Sequence, residues 1–223
     1  NAYACEEEVK KHVKEGNDIL YIAFSSGLSG TYNSACLAKE SILETYSDAD
    51  ITIVDTKCVS MGLGLVVYYA NEMFKQGKTK EEIVTWIEEN KLKVQHWFTV
   101  EDLNHLCRGG RVSKTSATVG TLLNIKPILK VNDEGKLISV SKVKGSKKSI
   151  SALFEKVKEL IVNPEEAVVF ISHGDCLEDA ENLKEKILEH IKVKDVVINY
   201  IGSAVGSHSG PGTVAVFFMG NNR

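Results

Sequence analysis

Along the chain, short β-rich apolar runs alternate with longer stretches whose apolar residues recur at helical spacing. That alternation marks βα units around a mostly parallel sheet. Asp18–Phe24 (DILYIAF) is a compact apolar run closed by a Ser/Gly loop, and Thr31–Tyr46 then takes up helical spacing, so strand, loop and helix are expected in that order. Ile51–Val54 predicts a second strand ending at Asp55, with helices over Met61–Phe74 and, opened by Thr79, over Lys80–Lys91. Val94–Val100 predicts the next strand. Beyond it the character changes: Glu101–Leu106 predicts a turn or two of helix, CRGGRVS interrupts it, and Thr115–Leu123 is small and Thr-rich. Ile128–Val131, the Asn132–Gly135 turn and Leu137–Val140 predict an antiparallel hairpin. Helix Ser146–Ile161, strand Ala167–Ser172, helix Leu177–Ile191 and strand Val196–Ile201 follow, then a Gly/Ser loop and a last strand, Thr213–Phe218. A short helix, Cys5–Lys14, precedes the first strand.

The switch to hairpin topology places a lobe boundary within Asn90–Gln95. We expect a first α/β lobe over 1–92 and a second over 93–223, the latter containing the hairpin at 128–140. At 223 residues, 43% of them apolar, the chain can bury a real core. Its 27 basic and 30 acidic side chains leave a formal charge of −3, too balanced for a general polyanion binder, so no nucleic-acid partner is expected. The longest apolar stretch, Met61–Ala70, contains two glycines and is well short of the roughly 20 residues a bilayer span needs. Five scattered cysteines, Cys5, Cys36, Cys58, Cys107 and Cys176, never form a CxxC pair, which reads as reduced thiols with neither disulfides nor a zinc site. With no export signal visible, a cytoplasmic location is expected.

Four segments carry candidate chemistry. Ser25–Tyr32 (SSGLSGTY) lies between a strand and a helix, where free N–H groups and the helix dipole favour a carboxylate or phosphate. A simple helix cap at Ser29 or Thr31 explains part of it, but three Ser, one Thr and two Gly in eight residues exceed what one cap requires. In Gly202–Gly212 (GSAVGSHSGPG), glycines strip bulk from around His208, so its imidazole can project into a cleft. Locally bonded loop histidine is the equal alternative. Cys107–Ser113 (CRGGRVS) can clamp an anion with two arginines or end a helix with solvated charges, and the second reading is preferred. Lys142–Lys148 (KVKGSKK) is a basic lip, a docking patch or a solvated charge run. His173 in SHGD and Trp97 are read as structural, and the GLG at Gly62–Gly64 lacks the rest of a dinucleotide fingerprint.

SSGLSGTYNSA, VDTKCVSMGLG, RGGRVS leading to IKPILKVNDEGKL, KGSKK and GSAVGSHSGPG stand in the same order as in the DegV family of bacterial fatty-acid-binding proteins. The chain resembles that family over nearly all its length. The resemblance implies a two-lobed α/β fold, with a mostly parallel sheet in the first lobe and a mixed sheet with a hairpin in the second. Members open with a strand, an aspartate-bearing loop and a threonine–serine–glutamine motif; this chain begins just after that point, so the opening strand section is expected to be missing. The resemblance also implies a non-catalytic lipid carrier. It would bury one long-chain fatty acid, keep the carboxylate at a polar mouth, and present it to a fatty acid kinase for acyl-phosphate formation in phospholipid synthesis. Carried over by position, Ser29, with Gly30 beside it, binds the carboxylate, and His208 lies near the head group. Ser26, Thr31 and Lys144 are further head-group or partner contacts. No metal and no cofactor besides the fatty acid is expected, and transient contact with a membrane is compatible with such cargo. Two other readings stay open on the residues alone: a serine-dependent hydrolase or acyltransferase using His208 as base, and a phosphate- or nucleotide-binding α/β protein.

Overall fold

The computed structural model describes residues 2–113 and 124–223; the Thr-rich stretch at 115–123 lies outside them. Helix α1 (Ala2–Lys14) leads into β1 (Ile19–Ala23), α2 (Thr31–Thr45) and β2 (Ile51–Asp55). Then come α3 (Ser60–Lys75), α4 (Lys80–Asn90), β3 (Val94–Thr99) and α5 (Leu103–Arg108). The second half runs β4 (Ile125–Val131), β5 (Leu137–Lys144), α6 (Ser146–Leu160), β6 (Val168–His173), α7 (Leu177–His190), β7 (Asp195–Tyr200), α8 (Ser203–Ser209) and β8 (Val214–Met219).

β1 and β2 form a two-stranded parallel sheet, and the other strands form a six-stranded mixed sheet in the order β5-β4-β3-β8-β6-β7. Parallel pairing occurs where a helix carries the chain across, at β1–α2–β2 and β6–α7–β7. The remaining pairs are antiparallel, so the small sheet is parallel and the larger one mixed with a hairpin, as expected for the first and second lobes. The mixing comes from β8, which arrives last and inserts between β3 and β6, antiparallel to both.

Period-two alternation sorts the core. On β8, Ala215 and Phe217 face one side with Phe98 and Phe170, whereas Val214, Val216 and Phe218 face the other with Trp97 and Ile171. Helix α6 closes the second side with Ile150, Leu153, Phe154 and Val157, and α7 adds Ala180, Leu183 and Ile187. Each of the larger side chains among these, once buried, contributes about 1.5–3 kcal/mol. Helix α3 covers the first side with Leu65 and Val66 and also meets Val54, Leu20 and Ile22 of the small sheet. One apolar core therefore runs from the small sheet through α3 to the large sheet, across the entry into β3 at residues 92–94. Helix α4 starts at a complete capping box: Glu82 N–H donates to Thr79 Oγ1 and Thr79 N–H to the Glu82 carboxylate.

The Gly/Ser segment expected to be a loop after β7 contains α8 instead. Gly206 N–H donates to Gly202 O at 2.9 Å and Gly210 N–H to Gly206 O at 2.8 Å, and the helix stops where Gly210 turns to φ 80°. Glycine density signals a loop when read alone, yet glycines at both ends of seven residues frame a helix here. The other expected elements lie within a few residues of their predicted bounds, including the hairpin, whose Asn132–Gly135 turn closes with Gly135 at φ 76°.

Candidate functional site

Four chain segments converge on one apolar cavity of about 290 Å³ between the small sheet and the large one. Its floor is the face of the large sheet carrying Phe98, Ala215 and Phe217. Phe24 and Leu28 come from the β1–α2 loop, Val59 and Ser60 from the start of α3, Leu106 and Arg111 from around α5, and Val205 and His208 from α8.

The β1–α2 loop is held to the hairpin tip. Ser25, fully buried, donates its hydroxyl to Gly135 O at 2.8 Å and accepts Gly27 N–H at 3.2 Å. Gly27 packs so closely that a Cβ there would stand 2.6 Å from Glu134 O, which leaves room for glycine alone. The β2–α3 loop is fixed in parallel: Thr56 donates its hydroxyl to Ala23 O at 2.8 Å and accepts Cys58 N–H at 3.0 Å. Lys57 and Ser60 adopt left-handed φ values of 54° and 49°. Beneath it lies His96, almost wholly enclosed. Its Nε2 accepts Val59 N–H at 3.2 Å while its Nδ1–H donates to Val94 O at 2.8 Å. Burial above all, and then the charge of Arg223, push the His96 pKa well below the ordinary value, so the ring is neutral.

Ser29 is half-buried in the cavity lining, its hydroxyl 2.8 Å from that of Thr31, and it accepts Thr31 N–H at 3.3 Å. Thr31 also lines the cavity, at its more exposed rim. His208 lines the cavity on α8, its imidazole set against Gly109 so tightly that a Cβ there would overlap Nδ1. Ser29, Thr31 and His208 are thus brought together. Gly30 is the exposed residue before α2 and faces open space. Ser26 is turned away: its N–H donates to Asp55 Oδ1 at 3.2 Å and its hydroxyl accepts from Lys57 Nζ at 2.7 Å. Burial acts against the Asp55 charge, but hydrogen bonds from Lys57 and Ser26 outweigh it and hold this carboxyl below the usual range. Lys144 is exposed at the end of edge strand β5, paired with Ile125, and is absent from the cavity lining. A position carried over from sequence order does not place it at the mouth, because β5 runs away from the cavity after Leu137.

The arginine pair behaves mainly as the capping reading requires. Gly109 follows α5, Arg108 Nη2 lies 3.2 Å from His105 Nδ1, and Arg111 donates to Leu28 O at 3.2 Å and to Gly109 O. Yet Arg111 also lines the cavity, which the less favoured clamp reading of that segment requires. The hydroxyls of Ser60, Ser172, Ser209 and Thr213 were missed; Ser172 alone could have been found, since it follows an apolar strand run at the spacing that faces Ala215. His173 lies elsewhere, its ring tilted 46° against that of Tyr200 at 4.5 Å and accepting Cys176 N–H. All five cysteines are free thiols, and burial pushes Cys58 and Cys176 up to about 11. Among the described residues no group of His, Cys, Asp and Glu could hold a metal, and no helix is long and apolar enough to cross a membrane.

An apolar cavity rimmed by hydroxyls and one imidazole suits an amphiphile with a long hydrocarbon and a small polar end. Comparison with known proteins points the same way. Residues 3–221 match the family described as "Uncharacterised protein, DegV family". A DegV domain-containing protein of Clostridium perfringens is 54% identical over 223 residues, covering 100% of this chain and 77% of that protein. The crystal structure of a DegV lipid-binding protein from Thermotoga maritima superimposes with a TM-score of 0.87 at 32% identity, over 100% of this chain and 76% of that one. A DegV family protein from Ruminococcus gnavus, described with vaccenic acid, gives a TM-score of 0.83 at 28% identity, over 90% and 71% of the two chains.

Proposed function

The chain belongs to the DegV family, and from that premise we propose that it holds one long-chain fatty acid in the cavity between its two lobes, 1–92 and 93–223. The acyl chain lies along the Phe98–Ala215–Phe217 floor, and the carboxylate meets the hydroxyls of Ser29 and Thr31 with His208 close by. The observation that carries this reading is the cavity itself, apolar along its walls, with Ser29 and His208 both in its lining. Each buried methylene contributes about 0.8 kcal/mol, so the tail supplies most of the affinity and the hydroxyls orient the head. Neutral hydroxyls also leave the carboxylate less tightly held than a buried arginine pair would. That fits a carrier handing its acid to a fatty acid kinase, which phosphorylates the carboxylate while the carrier itself performs no chemistry. Ser29 has Thr31, and not His208, as its hydroxyl partner, which does not favour a serine nucleophile.

Mass spectrometry of denatured protein purified from bacteria should show a co-purified long-chain fatty acid, and Ser29→Ala should retain several-fold less of it. Intact protein that never carries lipid, even after incubation with fatty acid, overturns the reading. A second variant tests the imidazole by way of its support. Gly109 has φ −71°, so alanine suits its backbone, but the added methyl drives His208 off the wall. Gly109→Ala should change folding stability by less than about 1 kcal/mol and still lower lipid retention. Unchanged retention would show that His208 plays no part in holding the ligand.

A further inference from the structure

We infer that the cavity contains a second oxygen-binding station, set apart from the Ser29 rim, which selects acyl ligands carrying an in-chain oxygen: hydroxy or oxo fatty acids. The inference rests on the fatty-acid reading and narrows its ligand class.

Ser172 of β6 is fully buried and paired with Ala215, which is in turn paired with Phe98. All three line the cavity, so a hydroxyl interrupts an otherwise apolar floor. Its partner is the Ser60 hydroxyl, 3.3 Å away. Ser209, 5% exposed, also lines the cavity, and its hydroxyl has no hydrogen-bond partner among the described residues. Thr213 fixes its place by donating to Ser209 O at 3.2 Å and to Gly210 O at 2.9 Å. Thr213 stands two residues before Ala215, so the Ser209 backbone is held beside the strand that carries the floor.

Three hydroxyls bring three donors, and the contact between Ser60 and Ser172 engages one. Against a plain hydrocarbon the others stay without an acceptor in a buried place, which is costly. An oxygen midway along the ligand satisfies them. The rim differs: Ser29 and Thr31 bond each other and are partly open to solvent, as a carboxylate seat should be. A site built to bond a ligand oxygen penalises the analogue lacking it.

The test is competition on the delipidated full chain, read by native mass spectrometry, between stearic acid and hydroxystearic acids that differ in hydroxyl position. At least one isomer should bind about fivefold tighter than stearic acid, the gain of one net hydrogen bond. Ser172→Ala and Ser209→Ala, checked for native circular dichroism, should each move that ratio towards parity. The inference fails if stearic acid binds and no isomer is preferred, or if both variants leave the ratio intact. It also fails if Ser209→Ala weakens stearic acid as much as the hydroxy acid, since the hydroxyl would then serve the carboxylate. If neither kind of acid binds, the fatty-acid reading itself falls, and this one with it.

Discussion

Arg223→Ala should lower the folding free energy by about 3 kcal/mol or more in urea unfolding. The guanidinium donates to Val94 O (2.9 Å), Lys57 O (2.8 Å), Asn132 O (3.1 Å), Lys91 O (2.8 Å) and Cys58 Sγ (3.2 Å). Those acceptors come from three separate places: the β2–α3 loop, the link from α4 into β3, and the hairpin turn. No single element could hold them together, and truncation removes the one group that ties all three while leaving Lys57 O without its donor. Cys58 stays a neutral thiol, pushed up to about 11 by burial, and so can accept from the arginine without competing for its charge. Arg223→Lys should recover less than half of the loss, because an ammonium cannot reproduce a planar fork aimed at several acceptors. A loss below about 1 kcal/mol on Arg223→Ala would show that water or neighbouring groups take over these carbonyls. Since Val59 and Ser60 follow directly on this anchored loop and line the cavity, the variant should also retain less lipid than its residual stability accounts for.

Gly62→Ala is the other severe change, expected to cost about 2–4 kcal/mol by overpacking together with a lost hydrogen bond. A methyl at Gly62 would overlap His96 Nε2, the atom that accepts Val59 N–H. The ring cannot retreat: Nδ1 is tied to Val94 O, and Phe217 meets it edge-on at 5.4 Å. The alanine's better helix propensity, about 1 kcal/mol, offsets only part of this. The pH dependence of stability reports the same site. In the native protein His96 stays neutral below its ordinary value of 6.5, whereas the unfolded chain takes up a proton there. Stability is therefore complete above pH 6.5 and declines as pH falls below it, until the folded ring protonates too. In Gly62→Ala the ring loses its fitted place under Val59 N–H and its environment loosens, so this decline should flatten between pH 7 and 5. A variant as stable as the parent, with the same pH slope, would mean that the helix shifts as a unit and His96 keeps its place.

These two residues show where reading a sequence stops. By sequence Gly62 is half of an incomplete nucleotide fingerprint; its actual use, leaving space for a histidine from a strand more than thirty residues away, has no local mark. Arg223 and His96 carried no signal at all. Arg111 reads by sequence as an anion clamp or part of a cap, and in the structure it bonds backbone carbonyls while also walling the cavity. Lys144 lies outside the cavity lining for the converse reason: order along the chain places it after an apolar run but does not show that β5 leads away from the mouth.

Local physics decided the elements. Apolar periodicity, a capping box at Thr79 and a turn at Asn132–Gly135 act over a few residues and can be read directly, as can the hydroxyl-rich Ser29 segment. Packing decided the rest: the insertion of β8 between β3 and β6, the sharing of α3 by two sheets, and the meeting of Ser172, Ser209 and Phe98 around one void. Such contacts join residues far apart in the chain, and their free energy depends on shape and burial that arise only once the elements are assembled.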